Sequence, residues 1–319
     1  MSLLTLNELT TAFTTPQGLV RAVVGVTMTI GRGQTVALVG ESGSGKTMTA
    51  RSIMGLLPPS ASIVSGSILF EGQEMVGLPA AALRSLRGSR LAMIFQEPMT
   101  SLNPVLRIGE QLLEPLMLHC TMKRTEATDR AVQLLGQVGI NHPEARLRDY
   151  PHQLSGGQRQ RVMIAMALAC NPALLIADEP TTALDVTIQV QILDLIDRLQ
   201  AEQGLAVLLI THNLGIVAER ADQVHVMYAG QIVESAATET LLNRPLHPYT
   251  QGLLASLPEN AAPGAPLNSI PGQPPNLTGK LTGCPFRERC PAALPPCATA
   301  MPAQRELTPG HTVRCWNYL

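Results

Sequence analysis

One segment constrains the fold of this chain more than any other: Gly40–Thr47, with the sequence GESGSGKT. It follows an apolar run, Thr35–Val39, that is typical of a buried strand. Residues 47–57 have a helical composition, and the two prolines at 58 and 59 predict where that helix ends, because proline cannot continue one. The segment therefore stands between a strand end and a helix start.

A glycine-rich loop in that position turns successive backbone N–H groups into one concavity, where the helix dipole adds positive potential. The pattern G-x-x-x-x-G-K-[ST] is typical of a phosphate-binding loop. We expect Lys46 to reach the β- and γ-phosphates of a nucleotide and the Thr47 hydroxyl to bind Mg²⁺.

Composition limits the class of protein. The chain has 319 residues, of which 45% are hydrophobic, enough for one large domain with or without a smaller one. Its net charge of −1 gives no overall basic field, so we expect no nucleic-acid partner. No apolar run reaches about 18 residues, and the N-terminus has no signal-peptide pattern, so we expect a cytosolic protein.

Two further segments in the second half carry chemistry. Leu154–Gln158 (LSGGQ) precedes apolar residues at helical spacing, which predicts a second anion-binding helix start with Ser155 as N-cap. The apolar run at residues 173–177 predicts a strand that ends in Asp178 and Glu179. Adjacent side chains alternate along a strand, so we expect these two carboxylates to diverge at its end, where one can hold a metal ion while the other meets a water molecule.

The order of elements indicates an α/β fold with a mostly parallel sheet and its site at one edge. Strands predicted at residues 3–11 and 22–30 and a hairpin at residues 224–235 indicate an antiparallel part beside it. Helices predicted at residues 107–118 and 123–139 form an insertion, about residues 97–170. We predict an ATPase domain over residues 1–257 and an irregular tail over residues 258–319.

With these segments in order, the chain resembles the ATP-binding subunits of ABC transporters from about Leu3 to Leu257. The resemblance is carried by the phosphate loop, Gln96, Leu154–Gln158, Asp178-Glu179, Ala183-Leu184-Asp185 and His212. It implies a P-loop NTPase core and ATP hydrolysis with Mg²⁺.

The resemblance also implies roles for individual residues. Glu179 is the expected general base, with His212 at the γ-phosphate and Gln96 at the metal and water; Thr47, Gln96 and Asp178 are the expected Mg²⁺ residues. Phe13 is expected to stack on adenine, with a core phenylalanine as an equal alternative. The full set of nucleotide-site residues is Phe13, Gly40, Ser42, Gly43, Ser44, Gly45, Lys46, Thr47, Gln96, Asp178, Ser155, Gly156, Gly157, Gln158 and Asp185.

In such proteins Ser155 and Gly157 bind the γ-phosphate of ATP held by a second chain, and Asp185 lies across the dimer interface. The implied partners are a second, non-identical ATPase subunit, two transmembrane permease subunits and, indirectly, an external solute-binding protein. Residues 98–112 are expected to face the permease subunits. The implied location is peripheral, on the cytoplasmic face of the inner membrane.

The tail resembles the dipeptide/oligopeptide/nickel importer branch, through Arg244–Thr250 (RPLHPYT), residues 269–272 (SIPG) and a group of cysteines. It implies the dipeptide-type first ATPase subunit, powering import of peptides or related small solutes. Nickel, metallophore or opine import is the alternative; an ABC ATPase acting on nucleic acid is disfavoured, because long heptads and a basic patch are absent from the sequence.

The cysteines of the tail are Cys284, Cys290, Cys297 and Cys315. Four thiolates suit either tetrahedral zinc or a four-iron cluster, and the absence of a C-x₂-C pair weakens the zinc interpretation. Because members of the resembling branch carry a [4Fe-4S] cluster in this tail, we expect that cluster, with Zn²⁺ as the alternative. His311 is a spare candidate ligand, although a solvated loop histidine is the stronger expectation.

Overall fold

The computed structural model describes residues 2–16, 18–96, 101–181, 185–257, 268–275, 277 and 282–318. The chain divides into two compact units. The first contains Gly31–Gly33 and Gly77–Leu208, and the second contains Ser2–Ile30, Gln34–Val76 and Leu209–Leu319.

An antiparallel sheet opens the second unit, with strand order β2-β1-β4-β5. Its strands are β1 (Ser2–Thr15), β2 (Gly18–Gly31), β4 (Ala61–Phe70) and β5 (Gln73–Glu74). β1 pairs with β4 in a register that places Leu4 opposite Phe70. Leu4 and Leu6 are fully buried on one face of β1, as the alternation of a half-buried strand requires. The predicted antiparallel part is confirmed.

The second unit also carries the strand that leads into the phosphate loop, β3 (Thr35–Val39). β3 pairs in parallel with β9 (Gln223–Tyr228), and β9 pairs antiparallel with β10 (Gln231–Ala237). The helices of this unit are α1 (Lys46–Met54), α8 (Leu214–Arg220), α9 (Thr238–Asn243) and α10 (Pro248–Ala255). All residues of β3 are buried, which suits a strand covered on both faces.

The first unit contains the parallel pair β6 (Leu91–Ile94) and β7 (Leu174–Asp178). Its helices are α2 (Ala80–Leu86), α3 (Ile108–His119), α4 (Arg124–Gln137), α5 (Pro143–Arg146), α6 (Gly156–Ala167) and α7 (Val186–Gln203). α3 packs against α4 and α6, which confirms helices in the predicted insertion. The boundary between the two units falls within β8 (Ala206–Thr211).

Two helices end earlier than the sequence predicts. α1 stops at Met54 rather than at the prolines, because Gly55 adopts a left-handed conformation (φ 60°) and donates its N–H to the last turn. The apolar residues after Leu154–Gln158 recur at helical spacing as far as Cys170, but the helix ends at Ala167. In both cases the local C-cap ends the helix before the pattern does.

The described part of the tail is more ordered than the expected irregular segment. β12 (His311–Val313) pairs antiparallel with β10, and β11 (Arg305–Thr308) pairs with β12. Short 3₁₀ helices lie at Arg287–Arg289, Pro295–Ala298 and Trp316–Tyr318. Phe286 belongs to the buried core of the second unit, together with Tyr228 and Tyr249. The domain boundary at residues 257/258 stays a prediction, because it falls at the edge of the undescribed residues 258–267.

Within the described part of the chain, no helix is long and apolar enough to cross a membrane.

A buried histidine on β9 makes the stability of the second unit depend on pH. Neither ring nitrogen of His225 has a hydrogen-bond partner among the described residues, and the residue is 3% exposed. Burial lowers its pKa from 6.5 to about 4. At pH values between 4 and 6.5, this histidine is therefore protonated in the unfolded chain but neutral in the folded chain. Stability is fully present above pH 6.5 and falls as the pH drops toward 4.

Replacing this imidazole tests that prediction. Because His225 is buried as a neutral ring, the free energy of unfolding should fall by about 1.4 kcal/mol for each pH unit between the two pKa values. In His225→Leu, the loss of unfolding free energy between pH 7.5 and pH 5 should be about 2 kcal/mol smaller than in the wild type. Urea unfolding at both pH values measures it, with the exposed His152→Leu as control. An unchanged pH dependence in His225→Leu would refute the assignment.

Candidate functional site

The phosphate loop lies in the second unit, between the end of β3 and the start of α1. Gly40 and Gly45 have positive φ angles of 156° and 109°. A Cβ atom at Gly40 would lie 2.2 Å from the Met227 carbonyl oxygen, and one at Gly45 would lie 2.4 Å from the Ala22 carbonyl oxygen. No larger residue fits at either position, so the two glycines let the loop curl against the neighbouring main chain.

Two polar side chains of the loop fit an anionic ligand. Lys46 is 5% exposed, and its Nζ donates to the carbonyl oxygens of Gly40 (2.8 Å) and Glu41 (3.0 Å), so the ammonium group lies across the loop. The Ser44 hydroxyl is buried without a hydrogen-bond partner among the described residues. An ammonium group, an unpaired hydroxyl and a helix start together form a phosphate-binding arrangement.

The first unit brings together two of the predicted catalytic side chains. Gln96 Nε2 donates to Glu179 Oε2 at 3.1 Å, directly after the ends of β6 and β7. Asp178 is 1% exposed, whereas Glu179 is half-buried, so the adjacent carboxylates occupy different environments. Glu179 adopts a left-handed backbone conformation, with φ 46°. Such strain in a non-glycine residue is concentrated at functional sites.

The second predicted anion site is the start of α6 in the first unit. The Gln158 N–H donates to Ser155 Oγ at 3.3 Å, and the Ser155 N–H donates to Gln158 Oε1 at 3.0 Å, a reciprocal capping box. Ser155 and Gly156 are exposed at this helix end. A Cβ atom at Gly157 would lie 3.0 Å from Ile188 Cγ2 of α7, so glycine keeps the two helices close.

Three other predicted residues lie at element ends or edges. Asp185 caps α7 by accepting from the Ile188 N–H at 2.9 Å and is exposed. Phe13 lies on β1 opposite Ala61 of β4 and is half-buried, so it is not a fully buried core residue. His212 is exposed directly after β8. Ala183, Leu184 and Pro98, also part of the predicted motifs, lie outside the described residues.

The cysteines of the tail do not form the predicted metal site in this structure. Burial raises the pKa of the Cys284 thiol to about 11, with nearby Cys297, Cys290 and Cys315 adding to the rise. Burial also raises the pKa of Cys290 and of Cys315. Within the described ranges, no group of three or more His, Cys, Asp or Glu side chains is arranged to hold a metal ion. The structure thus gives the predicted [4Fe-4S] or Zn²⁺ site no support.

His311 differs from the expected solvated loop histidine. It is 4% exposed on β12, and its Nε2 lies 2.8 Å from Glu234 Oε1. The fully buried Glu234 carboxylate also accepts the N–H groups of Leu246 (2.8 Å) and His247 (2.9 Å). The expectation was wrong because β12 adds to the edge of β10, which covers this side chain.

Sequence reasoning missed one group of residues at the phosphate loop. Glu41 of the loop contacts Arg289 in the tail and Tyr249 on α10. The sequence signal for this group is the segment Arg244–Thr250, which contains Tyr249 and carries the family resemblance of the tail.

Comparison with known proteins decides the family. The family model described as ABC transporter matches residues 23–182. The chain belongs to the ABC transporter ATP-binding family. It is therefore an ATP-binding and ATP-hydrolysing subunit, and its fold class is confirmed. A second model, the oligopeptide/dipeptide transporter C-terminal region, matches residues 233–297 of this ABC subunit.

Curated relatives match along nearly the whole ABC subunit. The dipeptide transport ATP-binding protein DppD of Bacillus subtilis is 49% identical over 98% of this chain and 94% of its own length. The oligopeptide transport ATP-binding protein OppD of Escherichia coli is 48% identical over 99% of this chain and 93% of its own length.

A solved structure has the same fold. The dimeric, post-hydrolysis ATP-binding cassette MJ0796, bound to ADP and Pi, superposes with a TM-score of 0.67 at 27% identity. The match covers 74% of this chain and 98% of that one. The remaining quarter of this ABC subunit has no counterpart in that cassette.

Proposed function

We propose that this ABC transporter subunit hydrolyses ATP to power the import of peptides, as the dipeptide-type first ATPase of its transporter. The observation that carries the proposal is the joint presence of a phosphate loop with the geometry described above and a C-terminal region of the oligopeptide/dipeptide transporter type. The names of the relatives, dipeptide and oligopeptide transport ATP-binding proteins, support the substrate class.

Each predicted site residue has a role that its position in the structure supports. Lys46 and the backbone N–H groups of residues 42–47 hold the β- and γ-phosphates, and the unpaired Ser44 hydroxyl donates to one of them. Phe13, half-buried near the end of β1, stacks on the adenine.

Glu179 is the proposed general base. It accepts a proton from the attacking water, and Gln96 holds its Oε2 in place by the 3.1 Å hydrogen bond. His212 contacts the γ-phosphate. The Thr47 hydroxyl, the Gln96 amide and the buried Asp178 carboxylate are the residues that would hold Mg²⁺, because they offer the oxygen ligands that this ion prefers. When bound, the ion would neutralise charge on the β- and γ-phosphates.

The signature residues Ser155, Gly156, Gly157 and Gln158 complete the site of a second ATPase chain, and Asp185 lies at that interface. The capped start of α6 supports this role, since Ser155 and Gly156 are exposed there. We infer a non-identical ATPase partner, two permease subunits and an external solute-binding protein. The assembly sits on the cytoplasmic face of the inner membrane.

We also propose that Cys284, Cys290, Cys297 and Cys315 hold a [4Fe-4S] cluster, with Zn²⁺ as the alternative. All four are free cysteines, and the Cys284 N–H donates to the Cys297 carbonyl oxygen at 2.8 Å, which supports a shared site for these two residues. The protein purified without oxygen should be brown and contain iron. Colourless protein with stoichiometric zinc would favour the alternative, and metal-free protein would exclude both.

Transport in vesicles tests the proposed function. Vesicles that contain the permease subunits and both ATPases should take up a labelled dipeptide only with internal ATP and with the binding protein outside. A nickel complex and an opine, offered in parallel, decide the alternative substrates. Uptake of either of those, with no peptide uptake, would contradict the peptide assignment while leaving the ATPase assignment intact.

A further inference from the structure

The C-terminal tail binds the phosphate loop through an ion pair. Arg289 Nη1 lies 2.6 Å from Glu41 Oε2, and Arg289 Nη2 lies 2.9 Å from Glu41 Oε1. This is the two-pronged geometry that makes arginine–carboxylate pairs both strong and directional. Glu41 directly follows Gly40 in the loop, and Arg289 lies 248 positions further along the chain. Both belong to the second unit.

Arg289 is held in place independently of Glu41. Its Nε donates to the Pro271 carbonyl at 2.9 Å and its Nη2 to the Ile270 carbonyl at 3.3 Å. Its guanidinium carbon lies 5.8 Å from the centre of the Tyr228 ring and 5.9 Å from that of Phe286. The side chain is 4% exposed. The guanidinium group is therefore a preorganised partner, so little side-chain entropy is lost when it pairs with the loop.

The main chain of Glu41 is fixed by a second contact. Its N–H donates to the hydroxyl oxygen of Tyr249 at 2.8 Å, and Tyr249 is fully buried. The Tyr249 ring packs against those of Tyr228 (4.6 Å between centroids) and Phe286 (5.4 Å). One aromatic cluster thus supports both groups that hold Glu41. A small cavity lined in part by Glu41, Ser42, Pro274 and Leu277 adjoins this contact.

The pair also changes the electrostatics of the loop. A carboxylate in a loop that binds a polyanion opposes binding unless a cation neutralises it. Glu41 is only 28% exposed, so solvent screens its charge incompletely. Arg289 supplies the neutralising cation while restricting the loop to one conformation.

We propose that Arg289 is a positioning residue for the phosphate loop, through which the folded C-terminal tail raises the affinity of the loop for nucleotide. The proposal rests on the proposed role of Gly40–Thr47 in binding ATP. Arg289 is the direct neighbour of Cys290 and lies between Cys284 and Cys297 in sequence. A change at the cysteines that displaces the segment from Cys284 to Cys297 therefore weakens ATP binding at the phosphate loop, although that loop itself contains no cysteine.

Equilibrium binding of a fluorescent ATP analogue to the full chain tests the proposal. We expect Arg289→Met to weaken binding about tenfold, the size of effect typical for loss of a charge-assisted hydrogen-bonded pair. The affinity of Arg289→Lys should lie between those of the wild type and Arg289→Met, because lysine keeps the charge but not the two-pronged geometry. The matched control is Arg287→Met: Arg287 lies in the same 3₁₀ helix but donates to the Thr282 and Ala298 carbonyls of the tail. The Arg287→Met variant should bind the ATP analogue as tightly as the wild type.

A double-mutant comparison separates positioning from a general loss of structure. If Arg289 acts through Glu41, Arg289→Met should change affinity by less than about threefold in a Glu41→Gln background. In the assembled ATPase, the KM for ATP should rise while kcat stays within about twofold, since Glu179 is untouched. The same tenfold loss in both backgrounds, or an unchanged affinity in Arg289→Met, would overturn the proposal. If Arg289→Met does not fold, Arg289→Lys gives the same comparison.

Lys46→Ala distinguishes this inference from the proposed function. If Lys46→Ala loses binding of the analogue while the Arg289 variants bind it as tightly as the wild type, the positioning role alone is refuted. Equal binding by the wild type and Lys46→Ala would refute the loop assignment itself.

Discussion

Glu179→Gln should bind ATP as tightly as the wild type while its turnover falls about 10²–10⁴-fold, the contribution typical of a general base. The substitution preserves size and removes only the basic oxygen that Gln96 positions at 3.1 Å. The left-handed backbone at Glu179 is unchanged by it, because glutamine has the same branching at Cβ. Single-turnover hydrolysis and nucleotide binding, measured on the same preparation with both ATPase subunits present, separate the two effects.

The control for this substitution is Glu202→Gln. Glu202 is exposed on α7, where it pairs only loosely with Arg198 at 3.9 Å. The Glu202→Gln variant should hydrolyse ATP at the wild-type rate. Wild-type turnover in Glu179→Gln would remove Glu179 as the base and direct attention to the other carboxylate at the end of β7, Asp178.

Lys46→Ala should eliminate nucleotide binding at micromolar concentrations. The ammonium group lies across the loop, 2.8 Å and 3.0 Å from two of its carbonyl oxygens, where it can transfer its hydrogen bonds to phosphate oxygens. Its removal takes away a charge-assisted contact of about 1.5–3 kcal/mol and the positive charge that offsets a polyanion at the loop.

Binding of ATP by calorimetry measures this loss, with thermal unfolding recorded on the same protein. Lys123→Ala, an exposed lysine before α4, is the control and should bind normally. Micromolar affinity retained in Lys46→Ala would contradict the phosphate-loop assignment.

Local patterns in the sequence were enough to predict the elements that carry the candidate site. β3 has the predicted bounds because a continuous apolar run acts over a few residues. Local patterns also mark α7, which begins directly after the capping Asp185, and β8, whose residues form an apolar run. The same holds for Ser155, whose capping role follows from its place before a helix. The end of α1 was misplaced because Gly55, in a left-handed conformation, stops the helix before the prolines can.

Contacts between distant polar residues could not be predicted in this way. The Arg289–Glu41 pair and the burial of His311 against Glu234 depend on how the tail packs on the second unit, which no periodicity encodes. The cysteine prediction had the same weakness, since spacing alone gives neither the distances between sulfur atoms nor their protonation. Such contacts are set by tertiary packing, and only the structure reveals them.

The central claim is that ATP is hydrolysed only when two ATPase chains associate. The phosphate loop of one chain must then face the helix start at Ser155 of the other. The rate of hydrolysis per chain, measured over a dilution series with the association state followed by sedimentation, tests it most directly. The account predicts that the rate per chain falls as the ATPase pair dissociates, and that the partner subunit restores it. A fully monomeric chain that hydrolyses ATP at the undiminished rate would contradict the account.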